Sequence, residues 1–319
     1  MRRLLLPGLI LFFALAVVAA PRRHEVDGLS MAPALQPGDV VSSGWLPQAD
    51  RLRAPRRFDR WLLATPDGTP ILKRIVGLPG ETVDIVGGDL MVDDKAVLTP
   101  PPLLAEVASV VATCDSSPGH WQRAFTHQPA YDDAVFAPDE SRRLLPVHDI
   151  GLVAVIDATS HAPLTAALRV GSRAIRWSLP AGRFALVAGR LDGHLVAVAW
   201  SLGNSPATTG RSALPSHPPE AWQIAEPWTE SDRSDSTVPL GLSLMTDGRS
   251  LDPAATDRCL ERCIVWRDVF HRVPPDGTAS WRVGPGEVFV LGDFSSGSRD
   301  SRHWGPLPTT TLRHRLLPR

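Results

Sequence analysis

The chain has 319 residues, 43% of them hydrophobic and 21% charged, a balance that allows two cores in a globular protein. A formal net charge of −1 gives no electrostatic case for nucleic-acid binding. Three cysteines exclude a disulfide framework, and 31 prolines favour turns and edge strands over long helices.

Leu4 to Ala20 is uncharged and mostly apolar, 17 residues long. As a helix it would reach roughly 25 Å, the short end of a membrane span. Arg2 and Arg3 precede it and Arg22 and Arg23 follow, and the N-terminal amine tips the positive-inside balance toward an N-terminus in the cytoplasm. Val18-Ala19-Ala20 also offers the small residues of a cleavable leader, but Pro21 would obstruct the cut. A retained anchor over residues 1–21 is therefore expected.

Residues 22 to 45 read as loop and short strand. Within them, Asp27 to Val41 is punctuated by Gly28, Pro33, Pro37 and Gly38, and places Ser30 and Met31 in a turn-rich segment ten residues beyond the apolar run. Arg51 to Arg60 carries five arginines, read as a solvated or headgroup-facing surface. Trp61 to Thr65 is a predicted strand, and Pro66-Asp67-Gly68 a turn. Ile71 to Val76 is a second strand, in which Lys73 shares a face with Ile71 and Ile75. Thr82 to Val86 and Leu90 to Val92 flank Gly87-Gly88-Asp89 as a hairpin.

Pro100, Pro101 and Pro102 suggest a boundary. Beyond it, strands are predicted over 151–157, 164–170, 173–179, 184–191 and 194–201, joined by glycine-bearing turns such as Gly171-Ser172 and Asp192-Gly193. This pattern implies a β-sandwich or a curled sheet. Gly203 to Ser236 reads as a polar loop, and Asp252 to Arg262 as a helix that would carry Cys259 and Cys263 on one face. With no second Cys/His pair at zinc spacing, packed or free thiols are expected there, with Cys114 unpaired. Glu287 to Leu291 is a buried strand, followed by a polar loop from Gly292 to Pro306.

The cation usage is informative. Of 33 Lys+Arg, only Lys73 and Lys95 are lysines. Arginine keeps its proton in proteins, whereas a buried lysine can lose it and act as a base. A serine in a tight loop and a lysine in an apolar strand form a nucleophile–base set. His24 and His303 lie near these segments in sequence and are read as surface or packing residues.

Three segments taken in order resemble bacterial type I signal peptidase, a Ser/Lys peptidase of family S26. They are Ser30-Met31-Ala32-Pro33, Lys73-Arg74 with Gly77-Leu78-Pro79-Gly80, and Gly292-Asp293 followed by Ser298-Arg299-Asp300-Ser301-Arg302-His303-Trp304-Gly305-Pro306. The resemblance covers roughly residues 24–98 and 282–310. It implies a mostly β protein, with a signal-peptidase-like antiparallel β catalytic core, an inserted β-sandwich-like domain and one N-terminal transmembrane helix. The implied divisions are an anchor at 1–21, a discontinuous catalytic domain at 22–99 and 281–319, and an accessory domain at 100–280.

By the same resemblance, Ser30 is the nucleophile and Lys73 the general base. Ser298 orients the lysine, Asp293, Asp300 and Arg302 brace the loop, and Met31 and Pro33 belong to the substrate groove. The Ser30 backbone N–H, with Gly28 nearby, is the oxyanion donor. Gly28, Phe294 and the loose strand Arg60 to Ala64 depart from the family pattern. The implied partners are preprotein signal peptides and the lipid bilayer, at the bacterial cytoplasmic membrane with the catalytic domain outside. No cofactor, metal or nucleic acid is implied. Two alternatives remain: another Ser/Lys peptidase of the same fold, or a non-catalytic tethered β-domain that binds exported or envelope proteins.

Overall fold

The computed structural model describes residues 22–43, 54–113, 130–132, 145–205, 214–215, 217–228 and 240–317. The apolar segment Leu4 to Ala20 and Cys114 lie outside them. No described helix is long and apolar enough to cross a membrane. The chain is mostly β, and the strand pairings are antiparallel. It divides into two compact units, residues 1–84 with 273–319, and residues 85–272.

In the first unit a five-stranded sheet runs in the order Leu307–Pro308, Glu287–Leu291, Pro70–Gly77, Arg60–Ala64, Leu312–Arg315. Its two central members come from opposite ends of the sequence, so the chain closes this sheet only after returning from the second unit. Trp61, Leu63, Ile75, Val288, Val290, Leu307 and Leu312 form its apolar core. A separate two-stranded ribbon, Arg22–Glu25 with Val40–Ser43, frames the segment that carries Ser30.

The second unit holds a six-stranded sheet, in the order Ile224–Pro227, His194–Ser201, Arg183–Leu191, Ile150–Asp157, Leu260–Arg267, Ser109–Thr113. Against it lies a four-stranded sheet of Arg173–Leu179, Leu164–Val170, Leu240–Thr246 and Arg249–Ser250. Leu152, Ala154 and Ile156 from the first sheet and Leu164, Leu168 and Leu244 from the second share one core. On the other face of the larger sheet, Val153, Val187, Val198 and Trp266 pack with Leu104 and Leu214. Cover on both faces explains why Ile150–Asp157 is an unbroken apolar run rather than an alternation.

The strands predicted at 164–170, 173–179 and 194–201 match those observed. Several strands, among them Leu240–Thr246, Leu260–Arg267 and Leu312–Arg315, were not expected from sequence, and Ile224–Pro227 is a strand inside the span 203–236 expected as loop, where it pairs with His194–Ser201. The helix predicted over Asp252 to Arg262 is shorter: it spans Pro253–Cys259, where the Asp252 carboxylate accepts from the Ala255 N–H at 2.7 Å. Leu260 then begins a strand, so Cys259 and Cys263 do not share a helix face. Both are buried, and neither forms a disulfide. The proline cluster starts the helix Pro101–Val107, with proline at its first position, where a missing N–H costs nothing. The compact units divide after Asp84 and before Val273.

Candidate functional site

Ser30 sits in a loop closed from both sides. The Val26 N–H donates to Asp39 O at 2.9 Å and the Gly38 N–H returns to Val26 O at 2.8 Å. Inside it, the Leu35 N–H donates to Met31 O at 2.8 Å. Met31 and Leu35 point inward and pack with Val26, Val41 and Leu316, which anchors the loop from below. Ser30 is left half-buried above this cluster.

Lys73 lies in the middle of the strand Pro70–Gly77, opposite Trp61 on one neighbouring strand. Arg74, next in line, is opposite Leu291 on the other. This central position leaves Lys73 only 2% exposed. Its amine donates to the Ser30 hydroxyl at 2.8 Å. Burial is the main influence on that amine, and it outweighs the attraction of Asp300 and Asp293, lowering the pKa from 10.5 to about 8.

The third segment enters from the end of Glu287–Leu291. Gly292 passes so close to the serine loop that a methyl group on it would lie 2.3 Å from Ser30 O and 2.3 Å from Ser298 Oγ. The Phe294 N–H donates to Ser30 O at 3.1 Å, tying the two loops by their backbones. Asp293 takes both prongs of the Arg74 guanidinium at 2.7 Å each. Asp300 and Arg302 form a second two-pronged pair at 2.8 Å each, and Asp300 also accepts from the Gly292 N–H at 3.1 Å. Burial alone would raise the Asp300 carboxyl, but hydrogen bonds from His303 and Arg302 and the Arg302 charge hold it well below the usual carboxylate range. Arg302 reaches further, donating to Ser295 Oγ at 2.6 Å and Ser295 O at 2.7 Å.

A buried amine of lowered basicity against a loop hydroxyl is an arrangement able to generate a nucleophile. The family model described as "Signal peptidase, peptidase S26" matches residues 1–136 and 266–316, more than half of the chain. The chain belongs to the signal peptidase S26 family. Signal peptidase I V of Bacillus subtilis (strain 168) is 35% identical over 77 residues, which is 24% of this chain and 45% of that protein. The match thus spans less than half the length of that relative.

In this family member the residues singled out from sequence divide into three groups. Ser30, Lys73, Gly292, Asp293, Asp300 and Arg302 are brought into one neighbourhood by the contacts just described. Ser298 is close by, yet its hydroxyl is buried without a hydrogen-bond partner, so the implied bond to Lys73 is not formed. The Ser298 side chain is turned against Gly292, while the Lys73 amine bonds to Ser30.

Met31, expected in the substrate groove, is 1% exposed and belongs to the core beneath the loop. Its side chain is drawn inward because the loop has few other apolar groups to anchor it. Pro33 is half-buried, and Gly28 has open space around its Cα. His303 caps the helix Ser301–Trp304 with Asp300, and His24 bonds Ser43 at 2.9 Å, so both histidines have structural partners. The sequence reading missed the Arg74–Asp293 pair and the role of Ser295. Arg74 stands beside the lysine in every reading of the strand, but nothing in the spacing joins it to a residue so distant in the chain.

Proposed function

We propose that this protein is a membrane-anchored serine endopeptidase that removes N-terminal signal peptides from exported preproteins, with Ser30 as nucleophile and Lys73 as general base. The observation that carries this reading is the 2.8 Å contact between the Lys73 amine and the Ser30 hydroxyl, made where the amine's pKa falls to about 8. A free lysine is neutral in only about 1 of 2,500 molecules at pH 7. At a pKa of about 8 the neutral share rises to roughly one in ten.

In the proposed cycle, the neutral Lys73 amine takes the Ser30 proton as Oγ attacks the scissile carbonyl. The Ser30 backbone N–H faces the developing oxyanion. Lys73 then returns the proton to the departing amine, leaving an acyl-enzyme. A water molecule, deprotonated by the same amine, releases the signal peptide from the serine. An extended substrate added as a strand projects alternate side chains toward the enzyme, which accounts for small residues at −1 and −3. Asp293, Asp300 and Arg302 brace the loop that carries Ser298, a residue positioned to turn toward Lys73 during the cycle. Leu4 to Ala20 is the proposed anchor, with the catalytic unit on the outer side of the cytoplasmic membrane.

The test is cleavage of an exported preprotein by the full chain in detergent. Wild type cleaves, and Ser30→Ala and Lys73→Arg do not, because arginine keeps its proton. Undiminished cleavage by purified Ser30→Ala overturns the assignment.

A further inference from the structure

The second unit gathers aspartates that the proposed reaction does not use. Asp89, Asp149 and Asp192 each offer a carboxylate oxygen, and these oxygens lie within 4.8 Å of one another. Asp149 and Asp192 are each only 5% exposed, and Asp89 is half-buried and so leaves the group a side toward solvent.

The topology explains the gathering. Asp149 precedes the strand Ile150–Asp157, Asp192 sits in the two-residue turn between Arg183–Leu191 and His194–Ser201, and these strands are neighbours in the sheet. Asp192 and Gly193 have φ of 48° and 71°, the left-handed turn that closes such hairpins and fixes where the Asp192 side chain starts.

Asp268 supplies an independent observation. It follows the strand Leu260–Arg267, which pairs with Ile150–Asp157 on its other side, and is only 4% exposed. Thr99 bridges it to Asp192, its hydroxyl donating to Asp268 Oδ2 at 3.1 Å and its N–H to Asp192 Oδ2 at 2.7 Å. The Asp268 N–H donates to Asp149 O at 3.1 Å. One oxygen of Asp268 and one of Asp149, both Oδ1, are buried with no hydrogen-bond partner. Arg267 acts on Asp268 by its charge and donates from Nη1 to the Asp268 backbone carbonyl at 3.3 Å.

A buried carboxylate oxygen without a partner is destabilising, and several buried like charges raise that cost. An oxygen-only donor set of this kind suits a hard cation. Ca²⁺ takes about six to eight oxygen ligands in flexible geometry, whereas Mg²⁺ keeps several of its waters and is seldom held by a cage of protein carboxylates.

We propose that Asp89, Asp149 and Asp192, with Asp268 beside them across Thr99, form a Ca²⁺-preferring divalent-cation site that fastens one end of the six-stranded sheet. The competing arrangement is a proton shared between Asp89 and Asp149, which are hydrogen-bonded to each other.

The experiment uses the full chain in detergent, stripped with EDTA and titrated with CaCl₂ or MgCl₂, with calorimetry for binding and thermal unfolding for stability. The comparison variant is Asp149→Asn with Asp268→Asn. Wild type is expected to bind one Ca²⁺ per chain, more tightly than Mg²⁺, with a Tm that rises with CaCl₂. The variant loses tenfold or more in Ca²⁺ affinity. In EDTA its Tm equals or exceeds that of wild type, because removing repelling charges relieves the metal-free fold; this also shows that it folds. A wild-type Tm unchanged by either salt, a calcium response retained by the variant, or tighter binding of Mg²⁺ than of Ca²⁺ overturns the proposal.

Discussion

Arg74 and Asp293 are 219 positions apart in the chain and meet as a two-pronged ion pair at 2.7 Å, with side chains 6% and 4% exposed. The pair fastens the strand bearing Lys73 to the loop that lies against Ser30. Removing one partner of a buried pair strands the other charge, which costs about 3–5 kcal/mol. Arg74→Met should therefore lower stability by that order in urea unfolding. Arg74→Lys should lose less, keeping the charge but not the fork. Equal stability of Arg74→Met and wild type would mean that the pair holds nothing in place.

The approach of Gly292 to Ser30 makes a second prediction. A methyl group there would meet a backbone carbonyl, Ser30 O, at 2.3 Å, and the two loops are tied at that point. Gly292→Ala should displace the serine by a few tenths of an ångström or more. We expect a loss of about 1–3 kcal/mol in stability and about 100-fold in kcat/KM for preprotein cleavage. Normal turnover by Gly292→Ala would show that the serine tolerates the displacement.

The Lys73 amine sets the pH dependence. With a pKa near 8, the neutral fraction grows roughly tenfold between pH 7 and pH 9, and the rising limb of kcat/KM should have its midpoint near pH 8. Stability follows the same group with a definite sign. The unfolded lysine titrates near 10.5 and the folded one near 8, so the unfolded chain holds more protons between these values. The contribution of this group is fully present above about pH 10.5 and lost as the pH falls through about 8. Lys73→Met should remove this dependence and raise Tm at pH 7 while abolishing cleavage. A Tm difference between wild type and Lys73→Met that stays constant from pH 7 to pH 10 would contradict the assigned environment.

Ser298 gives the fourth prediction. Its hydroxyl is buried without a partner, so removing it forfeits no hydrogen bond in this state. Ser298→Ala should raise stability, by about 1 kcal/mol, measurable as a higher Tm. A drop in kcat/KM alongside that higher Tm would mean that the hydroxyl engages Lys73 only during turnover. A lower Tm would mean that it is already bonded at rest.

Some of this was legible in the sequence for local reasons. Short apolar runs ended by glycine turns determine strands such as Leu164–Val170 and His194–Ser201, because the alternation and the turn chemistry act within ten residues. Lys73 stood out because it is one of two lysines in a chain that otherwise uses arginine, and only lysine can lose its proton there. The Pro101–Val107 helix is not legible because prolines that open a helix look the same in sequence as prolines that mark a boundary. Leu260–Arg267 was lost to a helix reading because a strand covered on both faces shows no alternation.

The sequence by itself determined which residue types are present to do chemistry and where the turn-bounded hairpin strands form, since both depend on near neighbours. Only the tertiary structure decided that Lys73 touches Ser30, that Met31 faces inward, that Ser298 faces Gly292, and that Asp89, Asp149 and Asp192 converge with Asp268 tied to them through Thr99. Those outcomes depend on the order in which strands pair across the sheets. That order is set by burying apolar faces against partners more than two hundred residues away, and no local pattern records it.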